Sequence, residues 1–179
     1  MLVSCQSTKN SNKASVNDLQ YKPDIVVYDY QIWLSDPDKK ELRDSTVVHV
    51  DTSSANGKIN YYFKDLKTQN SLFWYSLSLN RDSIFYEGVF CWAIDTFYLE
   101  YHKKSIEIFK CFYDIENSYD EESYIYWNPD YGLISVYNFP WGALLLFDNK
   151  EIKGFAKIGF YDYIINQERE AKEKLKITN

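Results

Sequence analysis

The pair Asn56-Gly57 stands between the runs STVVHVD and KINYYF. A two-residue reversal with positive φ at both positions costs least for Asn followed by Gly, and its twist joins two strands as an antiparallel hairpin. From Tyr21 onward the chain repeats this arrangement, with short aromatic and β-branched runs separated by turn residues. Seventeen Tyr, eleven Phe and five Trp make 18% of the 179 residues aromatic. Large rings favour a pleated surface on which they lie against cross-strand neighbours, so the composition reinforces the hairpin pattern.

Read in order, DIVVYDYQIWL from Asp24 to Leu34 is a long first strand. Ser35 to Arg43, with Pro37 near its start, reads as a loop holding one helical turn. The Asn56-Gly57 hairpin follows, then SLFWYSLSL from Ser71, a turn at Asn80-Arg81-Asp82, and the run SIFYEGVF. FCWAIDTFYLEY and SIEIFKCFYD form a hairpin about the polar turn His102-Lys103-Lys104, with Phe97 and Leu99 on one face and Tyr98 and Glu100 on the other. Beyond the acidic loop from Asp114 to Ser123, Asn128-Pro129-Asp130-Tyr131-Gly132 reverses the chain between two more strands, since Pro129 fixes φ and Gly132 is permissive. WGALLLFD and the segment after Asn149-Lys150 supply one or two further strands.

The end differs. NQEREAKEKLK from Asn166 is built of good helix formers, with Glu168 to Lys172 and Glu170 to Lys174 at i,i+4 spacing. Its apolar face is thin, mainly Ile165, Ala171 and Leu175, which predicts a peripheral helix. The expected fold class is therefore mainly β: an antiparallel curved sheet, half-barrel or barrel of about 9–10 strands with a C-terminal helix, the alternative being a β-sandwich. Residues 1–20 read as a flexible tether and residues 21–179 as a single β-rich domain.

A net charge of -6 repels phosphate backbones, so no nucleic-acid partner is expected. Lys172, Lys174 and Lys176 are interleaved with Glu168, Glu170 and Glu173 and leave no uncompensated basic patch. No stretch approaches the ~18 consecutive apolar residues of a membrane helix. Any attachment to a membrane needs another device.

Leu2-Val3-Ser4-Cys5 resembles the lipobox of bacterial lipoproteins, with an apolar residue three before the cysteine and a small residue just ahead of it. The resemblance implies a diacylglyceryl thioether on Cys5, palmitate among its acyl chains, and cleavage that makes Cys5 the first mature residue. The charged start and apolar run of a signal segment are then expected upstream of Met1. Gln6 to Asn17 is almost wholly polar, as suits a solvated tether between lipid and domain. The bland alternative is an incidental cysteine near a frayed terminus.

Setting Cys5 aside leaves Cys91 and Cys111. With the hairpin centred near Lys103, Cys111 lies opposite Asp95, which puts the two cysteines ~13 Å apart along the strands. Bridged Cα atoms need to be within ~7 Å, so buried unbridged thiols are expected.

The turn NPDYGLI, preceded by Tyr126 and Trp127, is similar to a late hairpin in bacterial envelope β-proteins of the half-barrel type related to lipoprotein carriers. No functional residue comes with that likeness. Asp114, Glu116, Asp120, Glu121 and Glu122 offer oxygens for calcium, but the loop lacks the glycine and alternate spacing of an EF-hand, and a solvated acidic loop is the better reading. His49 and His102 sit in no metal spacing, and no serine occupies a GxSxG elbow, so no catalytic residue, metal or cofactor is assigned. Asp29, Asp95 and Glu100 lie in apolar strands where a carboxyl pKa can rise, although an edge or solvent-facing position explains each more cheaply. Trp33, Trp74, Trp92, Trp127 and Trp141 either fill the core, as expected for most of them, or stack on sugar rings or line a groove where exposed.

These readings converge on a non-enzymatic binding or accessory module, lipid-anchored in the bacterial cell envelope at the periplasmic or outer-membrane surface, with an apolar, glycan or protein ligand. Two alternatives stay open: an envelope enzyme acting on glycans through a carboxylate pair, and an immunity or inhibitor protein binding a basic partner.

Overall fold

The computed structural model describes residues 25–33, 36–78, 83–116 and 121–177. Cys5, its tether and the turn expected at Asn80-Arg81-Asp82 lie outside the described residues. Ten strands follow one another: β1 (Ile25–Trp33), β2 (Asp36–Ala55), β3 (Lys58–Asp65), β4 (Ser71–Ser78), β5 (Ile84–Tyr86), β6 (Val89–Tyr101), β7 (Lys104–Tyr113), β8 (Ser123–Asn128), β9 (Gly132–Asn138) and β10 (Ala143–Asp148). Each pairs antiparallel with the next, and β10 returns to β1, from Val26 opposite Asp148 to Gln31 opposite Ala143. The sheet is a closed up-and-down barrel, which settles the choice against a sandwich.

Closure follows from local chemistry. The turns Asn56-Gly57, Glu87-Gly88 and His102-Lys103 all have positive φ at both residues, the geometry that folds two twisted strands back on each other. The run SIFYEGVF is consequently not one strand but β5, a tight turn and the start of β6. Ser35 to Arg43 also departs from expectation, because Asp36 onward belongs to β2 and pairs with β1. At ~3.3 Å per residue, a straight strand of this length would far overreach its neighbours. β2 instead bulges at Arg43, and passes from β1 to β3 at Val48, which pairs with both Ile25 and Asp65.

Inside the barrel the rings pack face to face and edge to face. Tyr61 stacks on Tyr75 at 4.6 Å and Phe63 on Phe73 at 4.4 Å, with Phe147 edge-on to Phe73 at 5.3 Å. Phe109 stacks on Trp127 at 5.1 Å, and Tyr86 meets Tyr113 at 5.2 Å. Fully burying such a side chain contributes ~1.5–3 kcal/mol, so the interior is an aromatic core. Cys91 and Cys111 belong to it, and both are unbridged. Their register corrects the hairpin arithmetic: Ile94 bulges from β6, so Cys111 faces Ala93 rather than Asp95. The thiols are diagonal neighbours, a relation that spans ~7–8 Å. Burial pushes the Cys91 thiol up to about 12 and raises that of Cys111, which suppresses the reactive thiolate.

The outer face of one side of the barrel is covered as well. The segment after Asn149 is not a strand: a short 3-10 turn (Lys150–Ile152) leads into a π-helical turn (Phe155–Phe160) and then α1 (Tyr161–Ile177). Helix thus begins five residues before Asn166, and its first turns are not peripheral. Phe155, Ala156, Phe160, Tyr161, Ile164 and Ile165 are buried against the outward residues of β1 and β7 to β10, including Tyr30, Ile108, Tyr126 and Leu146. Phe97 and Leu99 pack on this cluster, while Tyr98 and Glu100 on the opposite face are exposed, as their alternation predicts. Two covered faces explain why SYIYW and ALLLFD lack a polar alternation. The Tyr101 hydroxyl donates to the Lys153 carbonyl at 2.7 Å and the Gly154 N–H to Asp148 Oδ1 at 2.6 Å, fixing the entry to the helical segment.

Phe160 is fully buried, with its ring 4.9 Å from that of Tyr126. Phe160→Ala is expected to cost ~3–5 kcal/mol in urea unfolding. Trp92→Ala, on the exposed outer face of β6, is expected to cost less than about 0.5 kcal/mol.

Candidate functional site

Where β1 runs out and the β9–β10 turn closes, side chains distant in sequence come together. Trp33, the last residue of β1, and Trp141, in the turn, line a recess of 610 Å³ with Gln31, Arg43, Asn138 and Ala143. This volume falls within the range of ~300–1,000 Å³ usual for ligand sites. Trp33 is 39% exposed and Trp141 63%. On the same face of β1, two residues before Gln31, Asp29 lines a second recess of 200 Å³ with Asp44, Thr46, Val27, Leu72, Phe73 and Leu145.

The turn that carries Trp141 is built to hold it. The Asn138 carboxamide oxygen accepts from the Trp141 N–H at 3.0 Å. Gly142 has a φ of +65°, and a Cβ there would stand 2.0 Å from the Ile32 carbonyl oxygen, so only glycine allows the close approach. That approach lets the Ile32 N–H donate to the Gly142 carbonyl at 2.7 Å. The Gln31 amide completes the brace by donating to the Trp141 carbonyl at 2.7 Å and to that of Ile32 at 3.2 Å. On the other side, the Lys39 ammonium lies over the Trp33 ring, 4.4 Å from its centroid, a cation–π contact that steadies the indole.

Asp29 and Asp44 are cross-strand partners in the β1–β2 register. Burial holds the Asp29 carboxyl above the ordinary aspartate value; the Arg43 guanidinium pulls it back, and the Asp44 charge adds to the rise. Arg43 owes its place to the bulge, since it is the extra residue between the pairs Asp29–Asp44 and Tyr30–Leu42. The outer recess brings together two indoles, a guanidinium and two carboxamides, which can take ring contacts and hydrogen bonds from a ligand, and the neighbouring recess adds two carboxylates.

The other residues singled out by the sequence lie apart from this site. Trp127 is in the aromatic core, Trp74 is half-buried on the outer face beside Tyr62, and Trp92 is 53% exposed. Core is thus the place of only one tryptophan, because the tyrosines and phenylalanines already fill the barrel. Asp95 and Glu100 are exposed, whereas Asp29, against the cheaper explanation, faces a recess. His49 pairs with Asp51 at 3.2 Å, and His102 is exposed in its turn. Among the described residues no three His, Cys, Asp or Glu lie together to hold a metal ion; Asp120 is outside them. Gln31, Arg43, Asp44 and Asn138 were not legible as site residues, and WGALLLFD read as strand from its first residue, whereas β10 begins at Ala143 and leaves Trp141 in the turn; the residues that mark that turn are Asn138, Pro140 and Gly142. Compared with known proteins, the chain matches no family model, no curated protein and no solved structure.

Asp29→Asn is expected to raise the melting temperature at about pH 7 and to leave it unchanged at about pH 3. Below the ordinary aspartate pKa of 3.8 the carboxyl is protonated in folded and unfolded chains alike. Once the pH rises through the raised folded-state value, the folded parent bears a charge that burial penalises and asparagine does not. Thermal unfolding of both proteins at the two pH values checks the sign.

Proposed function

We propose that the chain is a lipoprotein of the bacterial cell envelope, tethered by acyl chains at Cys5 and acting as a non-enzymatic binding module. The tether reading rests on Leu2-Val3-Ser4-Cys5 and the polar segment behind it. The binding reading rests on one observation above all: Trp33 and Trp141 stand exposed together over an open recess of 610 Å³. Large apolar rings left in water at a braced turn have a role other than core filling, because the interior is already packed with rings. The same packing argues against a carrier that swallows an acyl chain, so the ligand meets the barrel at its end.

A second reading, an envelope enzyme cleaving glycans, is favoured by the register pairing of Asp29 with Asp44 and by the raised Asp29 carboxyl. Glycosidases place two carboxyl groups about the scissile bond. The inner recess of 200 Å³ is below the size that encloses such a substrate, which is why binding is preferred.

Expressed from its full gene in a bacterial host, the protein is expected to incorporate labelled palmitate, and Cys5→Ser to lose both the label and sedimentation with membranes. In a fragment screen by NMR, ring-bearing fragments are expected to shift the indole N–H signals of Trp33 and Trp141 and leave that of Trp127 in place. An unlabelled parent protein contradicts the anchor, and unmoved indoles contradict the site.

A further inference from the structure

The chemistry of the outer recess narrows the class of ligand. Two indoles supply flat apolar faces, that of Trp141 open and that of Trp33 covered on one side by the Lys39 ammonium. Beside them, the Gln31 amide nitrogen is spent on the Trp141 and Ile32 carbonyls, which leaves its oxygen as an acceptor on the wall. Arg43 forms no ion pair within 4 Å among the described residues and brings a fork of N–H donors to the rim. A ligand that fits must therefore present apolar faces and, around their edges, groups that both donate and accept hydrogen bonds. Pyranose rings do this: axial C–H groups form a flat apolar face, and equatorial hydroxyls ring the perimeter.

The alternatives fit less well. A polyanion would meet the Arg43 guanidinium and the Lys39 ammonium over Trp33, but also the Asp29 and Asp44 carboxylates close by, on a chain of net charge -6. An acyl chain would bury none of its length in an open, polar-rimmed depression. The geometry points to an uncharged oligosaccharide as the ligand, its rings lying against Trp33 and Trp141 and its hydroxyls bonded by Arg43 and Gln31. This inference rests on the binding reading above and names the ligand class for the same recess. Gln31 has a double part in it, because the amide that holds Trp141 in position carries the acceptor that meets the sugar.

The test is a titration of the intact protein with neutral oligosaccharides of β-1,4-glucose, β-1,4-N-acetylglucosamine, α-1,4-glucose and β-1,4-xylose, four to six units long. Tryptophan fluorescence and the indole N–H signals report binding. One class is expected to bind and to shift the Trp33 and Trp141 signals. Affinity is expected to fall about tenfold or more in Trp141→Ala and in Arg43→Ala, as for residues at the centre of an interface, and to be unchanged in Trp92→Ala. Circular dichroism of each variant shows that the fold is kept. Saccharide binding that survives Trp33→Ala and Trp141→Ala overturns the inference. Binding of aromatic fragments or proline-rich peptides at the same indoles, with no saccharide bound, overturns the ligand class while leaving the binding reading standing. If neither saccharide, fragment nor peptide moves those signals, both fall.

Discussion

The pairing of β1 with β10 carries more of this structure than any other contact. It runs from Val26 opposite Asp148 to Gln31 opposite Ala143, and it turns a meander of hairpins into a ring. Because side chains alternate along a strand, this one register sets both sides of the wall at once. Ile25 and Val27 go to the aromatic interior, and Tyr30 and Ile32 go beneath the helical segment. A slip of one residue would exchange the two sets and mismatch both the aromatic interior and the helical cover at once. The same register carries Asp29, Gln31 and Trp33 along the inward face of β1 until the strand passes beyond the packed rings, so the last members of the row become the walls of the recesses.

Packing and function are thereby divided along the length of the barrel. Where β3, β4, β5, β7, β8 and β10 contribute rings, the interior is filled. Past that level, the β9–β10 turn is pulled onto β1 through Gly142, whose missing Cβ admits the Ile32 carbonyl, and through the amide of Gln31. Trp141 is displayed because the backbone below it is held in three places. The cost of leaving indoles in water, and a carboxyl in a confined recess, is borne by the dense core elsewhere.

What could be read from the residues follows what is local. Asn56-Gly57 announced its hairpin because both positions need positive φ, and the polar run His102-Lys103-Lys104 between two strand-like runs marked another, whereas Glu87-Gly88 adopts the same geometry inside a run that does not advertise it. Ser35 to Arg43 looked like a loop because of Pro37 and the polar residues that follow it, yet from Asp36 a strand paired only with β1 tolerates both. The segment after Asn149-Lys150 looked like a strand because a helix that buries its first turns on a sheet carries the same aromatic and β-branched residues as a strand does. The bulge at Ile94 shifted Cys111 by a register that no count of residues from the turn would reveal. The tryptophans were visible, and their grouping was not: Gln31, Arg43 and Asn138 come from three strands, and only closure of the ring brings them together.

The closing ladder is therefore the feature to measure. Native-state amide exchange resolves whether β1 opens by itself or only with the whole domain. If the β1–β10 pairing holds core and helix together, the hydrogen-bonded amides between Val26 and Gln31 exchange with the same free energy as those of β8 and β9, near the value for global unfolding. If those amides exchange at a much lower free energy and with little dependence on denaturant, β1 is a fraying edge and the ring is not the unit on which the rest of the structure depends.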